Sequence, residues 1–190
     1  MTTPTEERIL RAFLRLLAER GMDGTTTRVL AEEAGVNEVT LFRLFGDKGN
    51  LAAEAFRRFA PVERFDTYPV AIDTSSNERA IVGILDVLNF LHRGMLEHRE
   101  AIEFNLGEYR RVPELREHMA ATPRAAQRLV ERALDTAAPR LRPDLDRRAA
   151  SLGLIGLLLV SVIWPARGWI ELSELDWQST ARQAVECLLG

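Results

Sequence analysis

The chain has 190 residues, 46% apolar and 28% charged, enough for a substantial core in one large domain or two small ones. A formal net charge of −3 supplies no global basic field for polyanions, so a nucleic-acid partner would have to be held by a few placed residues. A single cysteine, Cys187, excludes an internal disulfide and any CxxC metal or redox motif, and fits a reducing, intracellular setting.

The opening, MTTPTEERILRAFLRLL, is acidic first and periodic rather than continuously apolar, unlike a signal peptide. Thr3, Pro4 and Glu6 predict a helix start, Ile9, Leu10, Phe13, Leu14, Leu16 and Leu17 its inward face, and Gly21 its left-handed stop. A second helix is predicted from the run Thr25-Thr26-Thr27 to Ala34-Gly35. A third runs from Asn37 as N-cap to Phe45-Gly46, and Asp47 caps a fourth that reaches about Ala60. Pro61 to Asn77, with two prolines and a polar cluster, reads as a connection, so a boundary near Pro61 separates domains 1–60 and 61–190. Further helices are predicted at 77–97, 99–110, 113–138, 144–166 and 176–189. Pro123, after Thr122, marks either a kink or a new helix start. The most apolar run, Leu152 to Trp164, has 13 residues, short of the roughly 20 that cross a bilayer. No alternating strand is visible, and the predicted fold is all-α.

The two helices joined by AGVN have the spacing of a helix-turn-helix. Gly35 can take the positive φ of a sharp turn, Val36 plugs the angle, and Asn37 caps the next helix. Leu41, Leu44 and Phe45 would point inward, leaving Glu38, Val39, Thr40, Phe42 and Arg43 outward, where such a helix enters a major groove. Thr40 can bond a phosphate or base edge, Val39 can touch a thymine methyl, and Arg28 and Arg43 can reach guanine or phosphate. Thr26 and Thr27 at a helix start suit a phosphate, and so does Lys48, where the helix dipole adds to its charge. The same geometry occurs in enzymes and scaffolds, in which Val39 and Phe42 would be packing residues.

Three segments, ILRAFLRLLAERG, TTTRVLAEEAGV and TLFRLFGDKGNL, stand in register between Ile9 and Phe56, and this stretch resembles the DNA-binding domain of the TetR family of transcriptional regulators. The resemblance implies an all-α homodimer, with a three-helix head before a C-terminal effector-binding and dimerisation domain. It implies DNA-contacting roles for Arg28, Glu38, Val39, Thr40, Phe42 and Lys48, with Thr27 and Arg43 as additions. Phe42 stands where the family usually has tyrosine, removing a phosphate hydrogen bond worth about 1 kcal/mol. Glu38 often corresponds to a basic or neutral residue. A carboxylate there either accepts from a cytosine amino group or turns away from phosphate. Residues 1–50 hold seven Lys/Arg and eight Asp/Glu, a net −1, which predicts weak non-specific DNA binding.

In the C-terminal part, Leu152 to Trp164 is apolar on nearly all sides, Gly153 and Gly156 permit close approach, and Trp177, Ala181, Ala184, Val185 and Leu188 form a second stripe. The resemblance implies that these last two helices pair with those of a second copy; the alternative is purely intramolecular core. It also implies a small-molecule effector among the middle helices. His92, Asn105, Tyr109 and Trp164 are candidate walls, although a buried His or Asn equally reads as a hydrogen-bonded core residue. The histidines at 92, 98 and 118 lack metal spacing, and no catalytic motif or phosphate loop is visible, so neither a metal, a cofactor nor an enzyme is expected. The resulting expectation is a cytoplasmic, ligand-responsive regulator. It would act as a repressor, bind a palindromic operator, and respond to its effector through helix four. The competing expectation is a helical interaction protein of the same fold that has lost DNA binding.

Overall fold

The computed structural model describes residues 3–99, 102, 103, 106, 115–171 and 176–190. It is all-α: among the described residues the only β pairing is an isolated antiparallel bridge between Leu141 and Leu189. The α-helices whose bounds lie within the described residues are α1 (Pro4–Gly24), α2 (Thr27–Ala34), α3 (Glu38–Phe45), α4 (Lys48–Phe59), α5 (Val62–Asp66), α6 (Asn77–Glu97), α7 (Arg116–Thr136), α8 (Arg147–Ala166) and α9 (Trp177–Glu186). The chain divides into two compact units, Met1–Ala60 with Glu100–Thr122, and Pro61–Arg99 with Pro123–Gly190.

In the first unit α1 to α4 each begin where a side chain satisfies the free N–H groups of the first turn. Thr3 and Glu6 form a reciprocal capping box on α1, and Thr26, Asn37 and Asp47 cap α2, α3 and α4. At Gly21 the backbone turns to φ 67°, a kink after which the helix resumes as far as Gly24. The buried Thr25 hydroxyl donates to the Gly21 carbonyl at 2.8 Å and fixes that corner. Ile9, Leu10, Phe13, Leu16 and Leu17 of α1 pack with Leu30, Leu41 and Leu51, and Leu115 and Met119 complete the same cluster. Each such side chain contributes about 1.5–3 kcal/mol on burial. A return of the chain after residue 100 thus supplies part of this core, a contribution that a single cut at Pro61 does not contain.

The second unit is built on Ile84, Leu88 and Leu91 of α6, Leu129 and Leu134 of α7, Leu158 of α8 and Val185 of α9. The stretch expected to be a plain connection holds α5. Its carbonyls and carboxylate are taken up by α7, where Arg128 pairs both nitrogens with Asp66 at 2.9–3.1 Å and Arg132 donates to the Asp66 carbonyl at 2.7 Å. Pro123 neither ends nor restarts a helix, since α7 runs continuously through it. The helix start expected at 144 falls at Arg147 because the Asp146 carboxylate accepts from the N–H groups of Arg148 and Ala149. The last helix stops at Glu186 rather than 189, as the chain end turns to pair with 140–142: Arg142 N–H donates to the Leu188 carbonyl at 3.0 Å, and Gly190 N–H to that of Arg140 at 3.1 Å. Helix α8 has 20 residues and a mean hydropathy of 2.0 over its most apolar 18-residue window, so by length and composition alone it reaches a membrane-spanning size that the 13-residue run fell short of.

Candidate nucleic-acid interface

The turn between α2 and α3 is set by local chemistry. Gly35 adopts φ 62°, ψ 41°, the left-handed conformation that costs glycine least. The Val36 N–H then donates to the Ala31 carbonyl at 3.0 Å, and the half-buried Val36 side chain packs on the head core. Asn37 Oδ1 accepts from both the N–H and the hydroxyl of Thr40, at 2.8 Å each. That second bond commits the Thr40 hydrogen and leaves its lone pairs free to accept from a donor.

On α3, Leu41 is buried and Leu44 and Phe45 are half-buried against the core, while Val39 is 74% and Phe42 50% exposed. Arg43 is exposed on the same helix, and Glu38 and Thr40 are half-buried. Arg28, exposed on α2, pairs with Glu32 at 3.3 Å, an (i, i+4) contact open to water on both sides. Such a pair stabilises by only a few tenths of a kcal/mol, so Arg28 is easily released to another acceptor. Thr27 donates its hydroxyl hydrogen to Glu38 Oε2 at 2.6 Å. Thr27, Glu38 and the outward residues of α3 are therefore joined in one surface by the helix-turn-helix itself.

Lys48 stands at the first position of α4, as expected, and its side chain is half-buried. Its ammonium donates to the Met22 carbonyl, and burial pushes its pKa below the usual lysine range, with the nearby Asp23 carboxylate opposing that shift. An ammonium has three hydrogens, so this anchor leaves two for an outside acceptor. Two contacts shaping this region have no local signal in the sequence, each joining residues 26 apart: that of Lys48 to the Met22 carbonyl, and that of Arg8, which closes the end of α2 by donating to the Ala34 carbonyl at 2.8 Å. Several carboxylates of the head are paired with arginines, Glu7 with Arg11, Glu33 with Arg15 and Glu54 with Arg57.

Of the candidate effector residues, His92 lies flat on Trp177, with ring centroids 4.1 Å apart and planes 5° from parallel. Burial pushes its imidazole pKa below the usual histidine value. The Trp177 indole N–H donates to Asn89 Oδ1 at 2.8 Å, a partner that the spacing of apolar residues gave no reason to select. Trp164 is 42% exposed and meets the edge of Trp169 at 6.3 Å. Asn105 and Tyr109 lie outside the described residues.

Comparison with known proteins finds similarity in the head. Residues 9–55 match the family described as bacterial regulatory proteins, tetR family. The chain is similar to the HTH-type transcriptional regulator YvkB of Bacillus subtilis (strain 168), 48% identical over 48 residues, 25% of each protein. It is also similar to the HTH-type transcriptional repressor AcnR of Corynebacterium glutamicum, 33% identical over 102 residues, 54% of this chain and 46% of that one. The chain thus spans between a quarter and a half of the length of these curated relatives. A putative TetR-family regulator from Rhodococcus sp. shares the fold over 99% of this chain and 100% of its own, with a TM-score of 0.74 at 19% identity. FadR from Bacillus subtilis, solved in complex with stearoyl-CoA, shares it over 97% of both chains, with a TM-score of 0.66 at 17% identity.

Proposed function

We propose that this chain, a transcriptional regulator of the tetR family by the head it carries in residues 9–55, binds palindromic operator DNA as a homodimer, represses, and is released by a small-molecule effector. The observation that carries the reading is the exposure of Val39 and Phe42, 74% and 50%, on a helix whose Leu41 is buried. Large apolar side chains held in water beside Arg28, Arg43 and Lys48 suit the floor and walls of a major groove, where thymine methyl groups meet apolar atoms and phosphates meet cations. Glu38 and Thr40 supply the polar contacts between them, and Thr27 is bonded to Glu38.

The homodimer rests on α8. Only 33% of its most apolar window is buried within the chain. Leu152 is 53% exposed, and a Cβ added at Gly153 or Gly156 would meet nothing within 4 Å. A second copy covering this face, with α9, would also link two heads at the spacing that a two-fold operator requires. The effector reading draws on FadR, whose structure holds stearoyl-CoA, and the repressive sign on AcnR. A reducing cytoplasm is the compartment proposed for such an activity.

Selection of bound sequences from random duplexes tests the reading. Wild-type protein should enrich an inverted repeat, and Arg28→Ala should bind that site about 10- to 100-fold more weakly, the worth of a guanine contact. Enrichment of nothing, even at low salt, would favour a helical interaction protein of the same fold.

A further inference from the structure

The starts of α2 and α3 are tied by one side-chain bond, that of the Thr27 hydroxyl to Glu38 Oε2 at 2.6 Å. Each residue is the first of its helix, and both are half-buried, so neither side chain is free to sweep through solvent. A hydroxyl has one hydrogen to give, and here it goes to the carboxylate; while this bond stands, Thr27 is no donor to phosphate. The carboxylate accepts at about four lone-pair positions, so Oε1 and the remaining side of Oε2 stay open.

We propose that Thr27 is a positioning residue for Glu38, and that the oriented carboxylate selects cytosine at one position of each half-site. The inference rests on the DNA-binding reading above. In the major groove cytosine presents only the N4 amino donor, whereas guanine (N7 and O6) and thymine (O4) present acceptors that repel a carboxylate, and adenine places its N7 acceptor beside its amino group. A free glutamate would lose rotamer entropy on each binding event. One already held by Thr27 has met that cost in folding. The bond also explains how an acidic residue is accommodated on a DNA-facing helix: one oxygen is turned toward α2 rather than toward the phosphates.

The test is selection from random duplexes with the wild type, Thr27→Ser, Thr27→Val, Thr27→Ala and Glu38→Gln, each first verified as folded by circular dichroism. The wild type should show cytosine at one position per half-site, and Thr27→Ser, which keeps the hydroxyl, should preserve it. Thr27→Val and Thr27→Ala, two independent ways of removing the hydroxyl, should loosen that one position about tenfold and leave the others unchanged, as expected for one hydrogen bond to a charged group. Glu38→Gln should move the preference toward adenine, whose N6/N7 edge matches an amide. Undiminished cytosine preference in both hydroxyl-free variants, or a Glu38→Gln motif identical to the wild type, overturns the inference while leaving DNA binding intact. A wild-type protein that enriches no sequence overturns both.

Discussion

Lys48 reaches back to the carbonyl of Met22, 26 residues earlier, so that the start of α4 is fastened to the end of α1 just beyond the Gly21 kink. The ammonium is thereby held in place with two hydrogens to spare, an arrangement suited to a phosphate contact of fixed position. Replacing Lys48 by Met keeps the aliphatic stem and removes the charge. Affinity should then fall about equally for all sequences, and the slope of log K against log salt should shrink by about one, as for loss of a single phosphate contact. Fluorescence anisotropy at several salt concentrations measures both; an unchanged slope would remove Lys48 from the interface.

The head core is completed by residues outside its first sixty. Met119 is 2% exposed and Leu115 1%, both within the cluster formed by α1, α2, α3 and α4. Met119→Ala should lower stability by about 2–5 kcal/mol, the usual cost of deleting a buried methionine side chain. A fragment ending at Ala60 should have a lower helix content and a broader melt than the intact head. Chemical denaturation and circular dichroism decide the matter.

Gly156 is exposed on α8, and a Cβ added there meets nothing within 4 Å beyond its own stretch of helix. Gly156→Arg should therefore leave the fold of a single chain intact, with a small gain from replacing a mid-helix glycine. Any second copy seated on α8 would be displaced. Sedimentation velocity should show a dimer for the wild type and a monomer for the variant, and operator affinity should fall with it; a variant that remains dimeric would place the interface elsewhere.

His92 offers a pH test. Its pKa is lowered by burial, so the folded state takes up its proton less readily than the unfolded state. This contribution is fully present above the unfolded histidine value of about 6.5 and is lost as pH falls through the lower folded value. His92→Phe keeps a ring on Trp177 and removes the titration. The drop in melting temperature between pH 7.5 and pH 5 should be smaller in the variant than in the wild type; carboxylates such as Glu7 and Glu54, which their arginine partners hold below the usual range, give up their contribution only at lower pH.

The parts legible in the sequence are those whose cause is local. Asn37, Asp47 and Asp176 announce helix starts because a cap bonds within three residues, and Gly35 announces the turn because few other residues take its φ. The outward face of α3 follows from the same 3.6-residue period. What escaped depends on partners far along the chain. Helix α5 is short and polar, and it is stabilised by arginines more than sixty residues later. The end of α9 is decided by 140–142 rather than by its own residues. Thr27 and Glu38 were each visible as candidates, but a bond across eleven positions through a turn has no signature in either helix.

Arg132 and Arg140 grip the end of α5 and the irregular stretch after it by the main chain, through the carbonyls of Phe65, Asp66 and Tyr68 in one case and of Thr74 and Ser75 in the other. Every amino acid offers a carbonyl, so these bonds do not depend on which side chains line the segment. The two guanidinium groups thus hold the path of the backbone, while the segment's own side chains serve other tasks: Tyr68 stacks on Phe90 and donates to Asp86, Ile72 lies against Gly83, and Ser76 caps α6. A substitution in this stretch is therefore felt through what its side chain touches, and not through the course of the chain.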